Sequence, residues 1–212
     1  MNDQSPFLPE HFAREDEGPD ELFYAVPRLV VHIDEAAIDA LRGYFRETLP
    51  PGADILDLMS SWRSHLPEDV PYGRVVGLGM NDVELAENPR LTERVLWNLN
   101  ADPNLPFEDA AFDAVLVTVS VQYLVRPVQV FREVARVLRP GGRVVVSFSN
   151  RMFPQKAVRL WRYTTDAEHV RVVAGYLQYA GGFQEIDFQD RSPRPEGGGD
   201  PLYIVTARRA AR

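Results

Sequence analysis

The chain predicts a doubly wound α/β fold on a mostly parallel, seven-stranded sheet with an antiparallel edge strand. Three features point there. Short, continuously apolar runs recur along the chain, and such strands are covered on both faces, as in a parallel sheet. Helical or loop segments alternate with them, as right-handed crossovers require. The last two runs are joined by a Pro/Gly-rich loop, SPRPEGGGDP (192–201), rather than a helix, which allows an antiparallel pair at one edge.

The elements follow in order. Residues 1–21 hold Pro6, Pro9, Pro19 and seven acidic residues and read as an extended or mobile arm. RLVVHID (28–34) is a short strand candidate. A helix is predicted from about Asp34, its N-cap, to Thr48, because Ile38, Leu41 and Phe45 recur on one face. Pro50-Pro51-Gly52 stops it. Strands are predicted at 53–58, 74–80, 94–100, 112–120 and 143–149, the fourth being the most apolar. The segment 126–142 reads as a helix with the stripe Val130, Phe131, Val134, Val137 and Leu138, closed by Pro140-Gly141-Gly142. Helices near 155–162 and 166–180 and strands at 184–190 and 201–208 complete the pattern. Domain boundaries are placed at 1–48 (arm and cap helix), 49–208 (the α/β domain) and 209–212 (a tail).

Composition narrows the function. The 212 residues are 45% apolar and 25% charged, ordinary for a globular domain. A net charge of −8 argues against nucleic acid as a partner, since phosphate contacts need a basic face. Arg208, Arg209 and Arg212 read as a solvated tail. With no cysteine, disulfides, thiolate metal sites and cysteine nucleophiles are excluded, which fits a cytoplasmic protein. The acidic N-terminal stretch lacks the pattern of a secretory signal, and no apolar run approaches the roughly 20 residues of a membrane helix.

In an open α/β sheet, ligands bind beyond the C-terminal strand ends. The candidates are therefore Asp57, Met59, Ser60 and Ser61 after the first strand and Gly79, Met80 and Asn81 after the second. Asn100, Ala101 and Asp102 follow the third, and Ser120, Val121 and Tyr123 the fourth. Asp57 and Asp102 either face a ligand or only cap turns and pair with arginines. Neither a phosphate-binding P-loop nor a G-x-G-x-x-G fingerprint is present.

Residues 104–150 carry Leu105-Pro106-Phe107, then Phe112-Asp113 opening an apolar strand, then a helix closing on Arg136-Val137-Leu138-Arg139-Pro140-Gly141-Gly142. In this combination and spacing the chain resembles the class I S-adenosylmethionine-dependent methyltransferases of the type 11 kind. The resemblance covers roughly residues 50–150 well and 150–208 weakly. It implies a Rossmann-like methyltransferase fold, S-adenosyl-L-methionine as cofactor at the strand-end residues named above, and a small-molecule methyl acceptor.

The first half departs from the family. Where it shows D-x-G-x-G-x-G, this chain has Asp57-Leu58-Met59-Ser60-Ser61-Trp62-Arg63, keeping the acid and losing the glycines. The carboxylate that bridges the cofactor's ribose is replaced by Gly79, with Asn81 two residues on. The carboxylate at the adenine falls near Ala101, with Asp102 beside it. Pro67 and Pro71 shorten any helix after the first loop.

Substrate-facing candidates are Tyr24 and His32 in the N-terminal extension and Asn150 and Arg151 after the fifth strand. His32 is a general-base candidate, though a packed role in the extension is favoured. His65 and His169 are expected on the surface and Trp62 in the core or lining the pocket. Lys156, Arg159 and Arg162 are expected on a solvated helix face. Two other readings stand beside methyl transfer: a non-catalytic relative that binds a nucleoside-like ligand or a protein partner, and a nucleotide-dependent oxidoreductase, which the missing glycines disfavour.

Overall fold

The computed structural model describes residues 6–193 and 198–211; Arg212 and residues 194–197 of the Pro/Gly-rich loop lie outside the described residues. The first α-helical turn is α1 (Asp20–Phe23). Helix α2 (Glu35–Thr48) starts where expected: the Asp34 side chain accepts the amide of Ala37, and Ile38, Leu41, Tyr44 and Phe45 are its buried stripe. There follow β1 (Ile55–Leu58), β2 (Val75–Gly79), α3 (Asp82–Ala86), β3 (Glu93–Leu96), β4 (Phe112–Thr118), α4 (Pro127–Val137) and β5 (Leu138–Phe148). The chain closes with α5 (Arg159–Arg162), α6 (Asp166–Ala180), β6 (Phe183–Asp190) and β7 (Tyr203–Arg209).

The seven strands form one sheet in the order β3-β2-β1-β4-β5-β7-β6. The first five pair in parallel. β7 runs antiparallel between β5 and the edge strand β6, which supplies the expected antiparallel pair at that edge. Alternate side chains point to opposite faces. Leu56, Leu58, Val115, Val117, Val144 and Val146 pack with Phe131 and Val134 of α4 and Tyr176 and Leu177 of α6. Ile55, Val75, Ala114, Leu116 and Val145 pack on the other face with Leu41, Tyr44 and Phe45 of α2.

Several expectations are corrected. RLVVHID is not a strand: residues 28–34 have no regular structure, because their polar backbone groups are taken by side chains of other segments. No helix joins β1 to β2, in keeping with Pro67 and Pro71. Helix α4 ends at Val137, before Pro140-Gly141-Gly142, because Leu138 already pairs with Phe112. The described part of the arm is docked rather than mobile. Phe7 and Phe12 pack on Tyr176, with ring centroids 4.8 and 6.2 Å away. Lys156 is fully buried, not on a solvated face, and meets Asp16 at 3.0 Å and Asp20 at 3.1 Å. Arg162 pairs with Glu15. His169 is also buried, stacked on Trp161 at 3.8 Å with Nε2 against that residue's carbonyl.

Candidate functional site

The strand order reverses between β1 and β4, and beyond the C-terminal ends of β1, β2 and β4 lies a cleft with an empty volume of about 1180 Å³, its mouth included. Its floor is the strand ends, and its roof is the segment after α1, with Tyr24, Arg28, Val30, Val31 and His32. Three polar side chains of the floor hold the roof. Asn81 Nδ2 donates to the carbonyls of Tyr24 and Ala25 at 2.9 and 3.2 Å. Glu84 accepts the Arg28 amide at 2.7 Å. Trp62 Nε1 donates to the Val30 carbonyl at 2.8 Å.

The loop after β1 replaces glycines by a different construction. Met59 takes the left-handed conformation, φ 58°, that a glycine would adopt without cost. The Ser60 amide donates to the Leu78 carbonyl at 2.8 Å, laying the loop across the end of β2. A Cβ at Gly79 would collide with the Ser60 carbonyl oxygen. Gly79 therefore admits the loop, and no carboxylate can stand at this position. Beneath, Asp57 is buried and accepts from the hydroxyls of Ser60 (2.6 Å) and Ser64 (2.5 Å). Asn88 donates to Ser64 Oγ at 2.9 Å and to the Ser61 carbonyl at 2.8 Å. Loss of solvent pushes the Asp57 carboxyl up to about 6, against the lowering effect of the two serines.

The cleft brings together Tyr24, His32, Asp57, Met59, Ser60, Ser61, Gly79, Met80, Asn81, Asn100, Ser120 and Tyr123. Five named candidates fall elsewhere. Ala101 is exposed, its carbonyl taken by Arg126. Asp102 accepts the amide of Asn104 in a local turn. Val121 is in the core. Asn150 is exposed, and Arg151 is 61% exposed and 3.6 Å from Asp200. Neither is among the residues that line the cleft. Asn81, offered as a ribose contact, is spent on capping α3 and on the roof. His65 is not a surface group: it lines the cleft, and burial pulls its imidazole down to about 4.

Sequence reasoning missed Asp20, Arg28, Glu84, Trp97, Asn98 and Phe153, which also line the cleft. Glu84 sits one helical turn past the strand end, where its spacing from Asn81 was the available signal. The others come from segments whose docking no local pattern encodes.

The electrostatics favour neutral bases and protonated phenols. Burial holds His32 below its ordinary value, with Glu84 opposing and Arg28 assisting. Burial, with Tyr123 and Asp20 nearby, raises Tyr24 far above the usual phenol range. At the end of β4, Thr118 and Ser120 line the cleft, and their hydroxyls are buried with no partner among the described residues. Buried polar groups are normally paired, so these two hydroxyls are free to bond a group that enters beside them. They supply a fit for the hydroxyl- and nitrogen-rich adenosine of the class's cofactor. Met59 and Trp62 both line the cleft, Met59 packing against the core and Trp62 reaching to the Val30 carbonyl of the roof.

A cleft so placed on a sheet of this order defines the class I S-adenosylmethionine-dependent methyltransferase fold. By sequence the chain is similar to the same class: the family model described as "Methyltransferase domain" matches residues 62–146, about two fifths of the chain, beginning at Trp62 within the glycine-poor loop. S-adenosyl-L-methionine is the cofactor of that type. The demethylmenaquinone methyltransferase of Lactococcus lactis is 37% identical over 105 residues, 44% of this chain and 41% of that protein. The chain spans less than half the length of the curated relatives it matches. Among solved structures, the [4+2]-cyclase SpnF superposes with a TM-score of 0.64 at 19% identity over 91% of this chain and 92% of the other. The phosphoethanolamine N-methyltransferase 2 of Haemonchus contortus, solved with S-adenosyl-L-methionine, gives 0.58 at 14% identity over 82% and 52%.

Proposed function

We propose that this protein transfers a methyl group from S-adenosylmethionine to a small molecule held between the strand ends and the roof segment. The observation that carries the reading is the cleft at the switch point between β1 and β4, lined at the end of β4 by Thr118 and Ser120, whose buried hydroxyls have no partner among the described residues. When bound, the cofactor supplies a methyl group already activated on a sulfonium. The chain's own part is to orient the acceptor and exclude water, a kind of positioning that contributes up to about 7–11 kcal/mol. Ser120 and Thr118 hold the nucleoside. His32, neutral at physiological pH, accepts the acceptor's proton where one must leave; Tyr24 remains a phenol and donates a hydrogen bond. The formal charge of −8 favours a small molecule over nucleic acid.

Calorimetric titration with S-adenosylhomocysteine tests this. The parent is expected to bind, and Ser120→Ala to bind about five- to tenfold more weakly, the value of one neutral hydrogen bond. Equal affinity in both would remove Ser120 from the site. A second reading, a non-catalytic binder or an enzyme of other chemistry on the same fold, is favoured by the lost glycines and by the likeness to a cyclase. Binding without methyl transfer to any acceptor would favour it.

A further inference from the structure

We propose that Arg28 is a carboxylate-binding residue of the cleft. The proposal rests on the functional reading above for the identity of the cleft, not for the chemistry of the arginine.

The cleft is lined by three acids and two arginines. The acids are already engaged. Asp20 is 4% exposed and held by Arg14 at 2.6 Å, Lys156 at 3.1 Å and Asn100 at 2.9 Å. Asp57 lies under the loop on two serines. Glu84 accepts the Ser61 hydroxyl at 2.6 Å and the Arg28 amide at 2.7 Å. The guanidinium groups are not matched in this way. Among the described residues no carboxylate stands within 4 Å of either guanidinium, and Arg63 is exposed, its guanidinium over the Trp62 ring.

Arg28 is half-buried and placed among rings. Its guanidinium stands 4.6 Å from the Phe23 centroid, 5.5 Å from Phe153 and 6.0 Å from Tyr24. Nη2 donates to the Phe23 carbonyl at 2.9 Å and Nη1 to the Val26 carbonyl at 3.5 Å. These contacts fix the plane of the fork and satisfy two of its five donors. A planar guanidinium with donors to spare, flanked by aromatic faces in a partly desolvated cleft, is built for a bidentate carboxylate beside a flat or apolar body.

Two molecules can bring that carboxylate: the amino-acid end of the cofactor, or an acidic methyl acceptor. The test uses full-length protein, parent and the variants Arg28→Met and Arg28→Lys, titrated with three probes. S-adenosylhomocysteine carries the amino-acid carboxylate. 5′-Methylthioadenosine shares the nucleoside and lacks that carboxylate. 1-Naphthoate is a planar carboxylate without nucleoside. One charge-assisted pair corresponds to about a ten- to hundredfold loss of affinity. If Arg28→Met loses this much for S-adenosylhomocysteine and nothing for methylthioadenosine, the arginine holds the cofactor's carboxylate. If it loses this much for naphthoate alone, it holds the acceptor's. In either case Arg28→Lys recovers only part, since an ammonium keeps the charge but not the fork. An equal loss for methylthioadenosine would show a merely structural arginine and overturn the proposal, as would unchanged affinity for both carboxylates, or their failure to bind the parent. Failure of both nucleosides to bind, with naphthoate binding lost in Arg28→Met, would overturn the cofactor reading and leave the carboxylate site standing.

Discussion

Asp57 shows how far a single residue's role departs from its place in the sequence. Its position, at the end of the first strand, was legible; its protonation was not, because the loss of solvent comes from a loop that folds back over it. A carboxyl held near 6 binds its proton more tightly in the folded than in the unfolded chain. Between about pH 4 and 6 the folded state therefore holds more protons, so this residue's contribution to stability is present at low pH and falls as pH rises through 6. Asp57→Asn stays neutral throughout. In urea unfolding, the variant is expected to gain about 2 kcal/mol relative to the parent between pH 4.5 and 7.5; a difference independent of pH would contradict the buried acid. The same loop explains why a glycine motif can be lost without losing the cleft. Met59 sustains a left-handed backbone at a cost of about 1–2 kcal/mol, and Gly79 keeps its one hydrogen so that Ser60 can approach. Positive φ at a methionine has no signature in sequence. His65 and His169 were likewise misjudged, since isolated imidazoles in polar surroundings become buried only through tertiary packing.

At the scale of elements, regular periodicity was readable and docking was not. The stripe on α2 and that on α4 gave both helices their buried faces, and the runs ILDL, VVGLG and FDAVLVT gave three strands. RLVVHID misled because its apolar residues satisfy strand propensity while its backbone is committed to Glu84 and Trp62, more than thirty residues away. The arm misled for a similar reason: proline and acidic composition suggested mobility, yet the acids meet buried cations. Lys156 is the center of that attachment, with Asp16, Asp20 and the Gly18 carbonyl around it. Removing one member of a buried pair leaves the other uncompensated. Lys156→Met is expected to cost about 3 kcal/mol in denaturant unfolding, and a loss below about 1 kcal/mol would show that the arm is not anchored there.

For the molecule as a whole, the alternation of strands and crossovers pointed to the strand ends as the ligand side; the switch point between β1 and β4 is fixed by the strand order of the folded sheet. The roof was not readable, since it joins residues 32–57 positions apart in the chain, such as Val30 with Trp62 and Tyr24 with Asn81. Its consequence is a site whose floor is the strand ends and whose ceiling is the segment after α1. The most direct test of that account is a crystal structure grown with S-adenosylhomocysteine. The account predicts adenosine density over the ends of β1, β2 and β4, with the Ser120 hydroxyl in hydrogen-bond contact and Met59 and Trp62 in the walls. Well-ordered protein with the nucleoside bound elsewhere, or with Met59 or Trp62 filling the space between the strand ends, would contradict it.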